Sequence, residues 1–143
     1  MALIHDFLEV SPDRLTSLLS LNKSLFSNTE IRYKNGDSIY WPSEHSDADD
    51  ILYSIIDNFR ESLIMVHDDI LSMLPNFEIV NTLFGGFIPY KGLNYYGCTL
   101  FPPESLTILI SVLQSANNQN LNQLIQLCRT ANKNKNYILH RGI

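Results

Sequence analysis

The sequence predicts an α+β protein, a small and mostly antiparallel sheet packed on three to four helices. Three observations carry that expectation. Alternating apolar residues flank Asn35-Gly36, a long apolar stripe follows at helical spacing, and a stretch rich in glycine and tyrosine precedes two further amphipathic segments. With 143 residues and 45% apolar side chains, the chain has the size and composition of one globular domain spanning 1–143.

The first stretch, Leu3 to Val10, is apolar but short, and reads as either strand or helix. Ser11-Pro12-Asp13 is a helix start: a serine oxygen can accept from the first free N–H groups, and proline suits the first helical position. Leu15, Leu18, Leu19, Leu25 and Phe26 supply its buried side, which predicts a helix from Pro12 to Phe26. From Thr29 to Trp41, Ile31, Tyr33, Ile39 and Trp41 alternate with polar residues around Asn35-Gly36. That is the pattern of a β-hairpin with a tight primed turn, closed by Pro42. A polar loop with Glu44 and His45 follows.

From Ile51 to Leu74, apolar residues recur in steps of three and four, with Ser46 as N-cap, Asp47, Asp49 and Asp50 at the positive end of the dipole, and Pro75 as the stop. The expectation is one long helix, roughly 42 Å if unbroken, with a bend or break near Glu61-Ser62 and a buried stripe through Ile55, Phe59, Leu63, Val66 and Ile70. Phe77 to Leu100 holds four of the six glycines, and reads as short strands joined by tight turns. Pro102-Pro103-Glu104 opens a helix with Leu106, Leu109, Ile110 and Leu113 inward. After a polar break at Asn117 to Asn120, a last helix runs from Leu121 to Thr130, and Tyr137 to Leu139 is a candidate terminal strand.

Charge is unevenly spread. Between Asp37 and Asp69 stand nine acids and a single base, Arg60, whereas Asn120 to the end carries Arg129, Lys133, Lys135 and Arg141 and no acid. An acidic middle repels nucleic acid and favours a cationic partner; the alternative is a solvated helix face balanced by the basic tail. No apolar run reaches the length of a membrane span, and the N-terminus lacks the basic start of a secretory signal. Two cysteines, Cys98 and Cys128, do not make a disulfide framework, so free thiols and a reducing, cytoplasmic setting are expected.

No constellation for catalysis stands out, and the chain reads as a non-enzyme without cofactor or metal. None of the four histidines lies one helical turn from another ligand. His67-Asp68 resembles the metal-binding pair of HD phosphohydrolases, but His67 beside Val66 and Ile70 reads as a core or boundary histidine. Phe84-Gly85-Gly86-Phe87 lacks the Gly-Lys-Ser/Thr ending of a phosphate loop. Asp50, Asp57, Glu61 and Asp68, spaced by seven, four and seven, would share one wet helix stripe, better suited to docking than to acid–base work. Trp41 is the single tryptophan, next to that acidic run; it reads either as a core residue or as a contact anchor. The candidate partner-binding set is therefore Trp41, Glu44, Asp47, Asp50 and Asp57.

At Tyr95-Tyr96-Gly97-Cys98-Thr99-Leu100-Phe101-Pro102-Pro103-Glu104-Ser105-Leu106 the chain resembles small bacterial immunity proteins, the cognate inhibitors of polymorphic toxins, including those of contact-dependent growth inhibition. The sharp part spans about 30 residues and carries no site motif, so no residue roles transfer. What the resemblance implies is a class: a stoichiometric inhibitor binding a toxin domain, possible targets including nucleases with cationic clefts. The alternative is a regulatory or adaptor domain for another protein or a small ligand, and less so a small hydrolase.

Overall fold

The computed structural model describes residues 3–21, 26–32, 38–42, 45–74, 76–84 and 88–142. The chain runs β1 (Ile4–Val10), α1 (Pro12–Leu21), β2 (Phe26–Arg32), β3 (Ser38–Pro42), α2 (His45–Asn58), β4 (Ile64–His67), α3 (Asp68–Leu71), β5 (Asn81–Phe84), β6 (Ile88–Lys91), β7 (Cys98–Phe101), α4 (Leu106–Ser115), α5 (Asn122–Asn134) and β8 (Tyr137–Arg141). Six strands form one antiparallel sheet in the order β4-β1-β8-β7-β5-β6. The fold is α+β.

Helices cover both faces. On one side Phe7, Phe101 and Ile138 meet Leu109 and Leu113 of α4 and Leu124 and Cys128 of α5. On the other, Leu8, Val10, Leu100 and Leu139 meet Leu15 of α1 and Leu52, Ile55 and Ile56 of α2. A central strand covered on both faces has no reason to alternate, so β8 is buried from Tyr137 through His140. The short apolar N-terminal run is a strand for the same reason.

Local chemistry explains the element ends. Ser11 caps α1: its Oγ accepts from the Arg14 N–H at 3.1 Å. Past Pro102, a single 3-10 turn over Pro103–Ser105 leads into α4. The turn after α5 places Lys135 at φ 56°, with the Asn136 N–H donating back to the Ala131 carbonyl at 2.9 Å, an arrangement that usually takes glycine. Gly142 is required by a close approach: an added Cβ would come within 2.1 Å of the Tyr95 carbonyl oxygen.

Three expectations are corrected. The first helix ends at Leu21, and Phe26 opens β2 instead. The hairpin pairs as read, with Thr29 opposite Trp41 and Ile31 opposite Ile39, but forms its own two-stranded sheet; its Asn35-Gly36 turn lies outside the described residues. The long helix does not exist as one element. It breaks into a 3-10 turn at Arg60–Ser62, where the break was expected, and the chain then extends as β4 along β1. The four-residue apolar run with β-branched Ile64 and Val66 two apart gains more from sheet pairing than from a further turn of helix. Of the expected stripe, Ile55 and Val66 are buried, while Phe59, Leu63 and Ile70 are half-buried.

Candidate functional site

The most unusual chemistry lies on the sheet face that α4 and α5 cover, where β1, β7 and β8 place polar side chains inward. Pairing sets Thr99 directly opposite His140, and His140 opposite Phe7, so His5 falls diagonally across from His140. His5, Thr99 and His140 have no exposed surface. A continuous chain joins them: Asp68 Oδ1 lies 2.9 Å from His5 Nε2, His5 Nδ1 lies 2.8 Å from His140 Nε2, and His140 Nδ1 lies 3.1 Å from Thr99 Oγ. Thr99 Oγ also accepts from the Asn94 N–H at 2.9 Å.

With both rings neutral, one assignment satisfies every atom. His5 Nε2–H donates to the Asp68 carboxylate, His140 Nε2–H donates to His5 Nδ1, and the Thr99 hydroxyl donates to His140 Nδ1. Burial, and then the neighbouring His5, hold His140 well below the ordinary histidine range, which keeps it neutral. Tyr95 stands edge-on to His5 at 5.3 Å, and burial followed by the Asp68 charge raises its phenol pKa. The chain runs from a backbone N–H to a half-buried carboxylate and contains no exposed nucleophile. Its chemistry is that of a fully satisfied polar core, which fixes the register of β1 on β8.

On the opposite face Arg141 binds Asp6 through Nη2 at 2.6 Å and Nε at 3.0 Å, and Asp57 of α2 through Nη1 at 3.1 Å. That grip ties α2 to the central strand pair.

The expected partner-binding residues are only partly gathered. Asp47, Asp50 and Asp57 share α2, and Trp41 lies on β3, which packs against α1 and α2. Glu44 lies outside the described residues. Asp57 is exposed but ion-paired to Arg141. Glu61 and Asp68 have left the helix, so the four-carboxylate stripe is not present, and Asp68 turns inward to His5. His67 is exposed on β4 rather than core or boundary. The Gly85-Gly86 segment lies outside the described residues. Both cysteine side chains are buried, and burial pushes the Cys128 thiol up to about 12.

Sequence reasoning missed His5, Thr99 and His140. Their only local signal is that each occupies the same face of its strand as a large apolar neighbour, Phe7, Phe101 or Ile138. Among the described residues no group of three or more potential ligands is arranged for a metal ion, and no helix is long and apolar enough to cross a membrane.

A strip of apolar surface is left open on β1 and β4. Ile4 is 36% exposed and Met65 is 65% exposed, on neighbouring strands and on the α2 side. Glu61 precedes this strip in the chain and Asp69 follows it, both exposed. No protein-family model matches the chain, and no curated protein or solved structure matches it either.

Proposed function

We propose that the chain is a protein-binding inhibitor of the immunity-protein class, which neutralises a toxin domain by covering a cationic surface on it. The observation that carries this reading is the pair of exposed apolar side chains, Ile4 and Met65, on the neighbouring strands β1 and β4. Apolar side chains left open together on a sheet face are a feature of partner surfaces. The sequence of α2 carries further acids, and the net charge of −5 adds long-range attraction for a cationic partner. The tightly satisfied interior supports a preformed rather than an induced surface.

The reading predicts that a neighbouring reading frame encodes a toxin-like domain, and that domain is the partner with which it is tested. Co-expression is expected to restore growth, and the two purified proteins are expected to form a one-to-one complex that abolishes the domain's activity. A domain that stays toxic and does not bind overturns it.

A further inference from the structure

β4 is an edge of the sheet, and its backbone is only half used. The Asp68 N–H donates to the Leu3 carbonyl at 3.0 Å, which makes Leu3 and Asp68 a hydrogen-bonded pair. Antiparallel ladders alternate, so His5–Val66 and Phe7–Ile64 are the next such pairs. Met65 and His67 therefore direct their N–H groups, and Met65 its carbonyl, away from β1. The His67 carbonyl is taken by the first turn of α3, for which His67 is the N-cap.

These open groups border a groove of about 450 Å³. Met65, His67 and Ile70 line one side, and Gln119 and Asn120, in the 3-10 turn before α5, with Gln123 in its first turn, line the other. All three amide residues are exposed, and among the described residues no group bonds their side chains. They belong to an unbroken stretch, residues 105–128, without a charged side chain in a protein of net charge −5. Amides carry the same donor and acceptor pair as a peptide group.

We infer that this groove takes an extended polypeptide segment of the partner, added to β4 as a further strand. A strand has peptide groups along both edges. One edge meets Met65 and His67, and the other meets the three amides, so the two walls match the two sides of one backbone. Uncharged walls fit a main chain rather than a charged side chain, which leaves charge attraction to α2. The inference takes its occupant from the protein-binding reading above and its geometry from β4 alone.

His67 offers an unusually clean test, because its φ of −64° already matches proline. His67→Pro deletes an outward N–H without touching the β1 ladder, whereas His67→Ala keeps that N–H. The probes are synthetic copies of peptides selected on the purified protein from a displayed library of random linear sequences. Peptides are expected to bind wild type and His67→Ala alike, and His67→Pro about tenfold more weakly. The Gln119→Ala/Gln123→Ala pair, on exposed positions that leave the ladder intact, is expected to weaken binding similarly. Backbone amide shifts on binding should centre on 64–68.

Failure to select any peptide, or equal binding by His67→Pro and the double-amide variant, overturns the inference. A concentration-dependent dimer lost in His67→Pro would seat a second copy on this edge and overturn it as well. The toxin-like domain separates the two readings. If it binds wild type and His67→Pro equally, the groove assignment fails and the inhibitor reading stands; if selected peptides fill the groove but the domain does not bind, the reverse holds.

Discussion

His140 stacks on His5 at 5.0 Å between ring centroids and is bonded at both nitrogens, so a proton has no place in this chain without reversing every bond toward Thr99. The sign of the pH effect follows. His140 binds a proton in the unfolded chain near the ordinary value of 6.5, but in the fold only at much lower pH. Stability is fully present above that value and falls as the pH drops below it, by up to about 1.4 kcal/mol per pH unit for one proton. Chemical denaturation between pH 7.5 and 5 should show that fall, and His140→Gln should flatten it. Asp68→Ala strands a buried His5 N–H and should cost about 1–3 kcal/mol. At the same scale, the raised Cys128 pKa predicts a native thiol that alkylating reagents leave untouched at neutral pH, while unfolding releases two reactive thiols. Mass spectrometry before and after denaturant counts them. The buried cysteines were legible as small hydrophobes. The histidine chain was not, because its members meet across 135 residues of sequence and no local pattern records that meeting.

Elements were legible wherever their signals are local. Ser11-Pro12, the hairpin pairing and the Pro-Pro start of α4 all depend on neighbouring residues, and each appears in the fold. Ile64–His67 depends on a distant strand, and there the helical spacing misled. Adjacent residues separate the two possibilities. In a strand Val66 faces the core and Met65 the solvent, at 2% and 65% exposure. Val66→Ala should therefore cost about 1.5–3 kcal/mol, and Met65→Ala less than about 0.5 kcal/mol. Urea melts of both variants decide between a strand and a helical turn. The left-handed Lys135 gives a second expectation for an element end. Lys135→Gly removes the Cβ strain at φ 56° and should raise stability by about 1 kcal/mol, seen as a higher denaturation midpoint.

For the whole molecule, a sheet covered on both faces buries the His5–His140–Thr99 chain and leaves β4 as one of its two edges. The acidic middle of the sequence was legible as a charge run. The way it divides was not: Asp68 turns inward to His5, Asp57 holds Arg141, Glu61 lies in the 3-10 turn and Asp69 in α3, and Asp47, Asp49 and Asp50 stay on α2. Reversing Asp57 would set a lysine against Arg141, so the charge reversal is made at Glu44, Asp47 and Asp50. The decisive measurement is the association rate with the toxin-like domain of the neighbouring reading frame, by stopped flow across a range of salt. Wild type should associate fast, slow steeply as salt rises, and lose most of that rate and salt dependence in Glu44→Lys/Asp47→Lys/Asp50→Lys, with unfolding unchanged. A folded triple variant that associates at the wild-type rate, with the same salt dependence and affinity, would contradict the claim that this acidic surface recruits the partner.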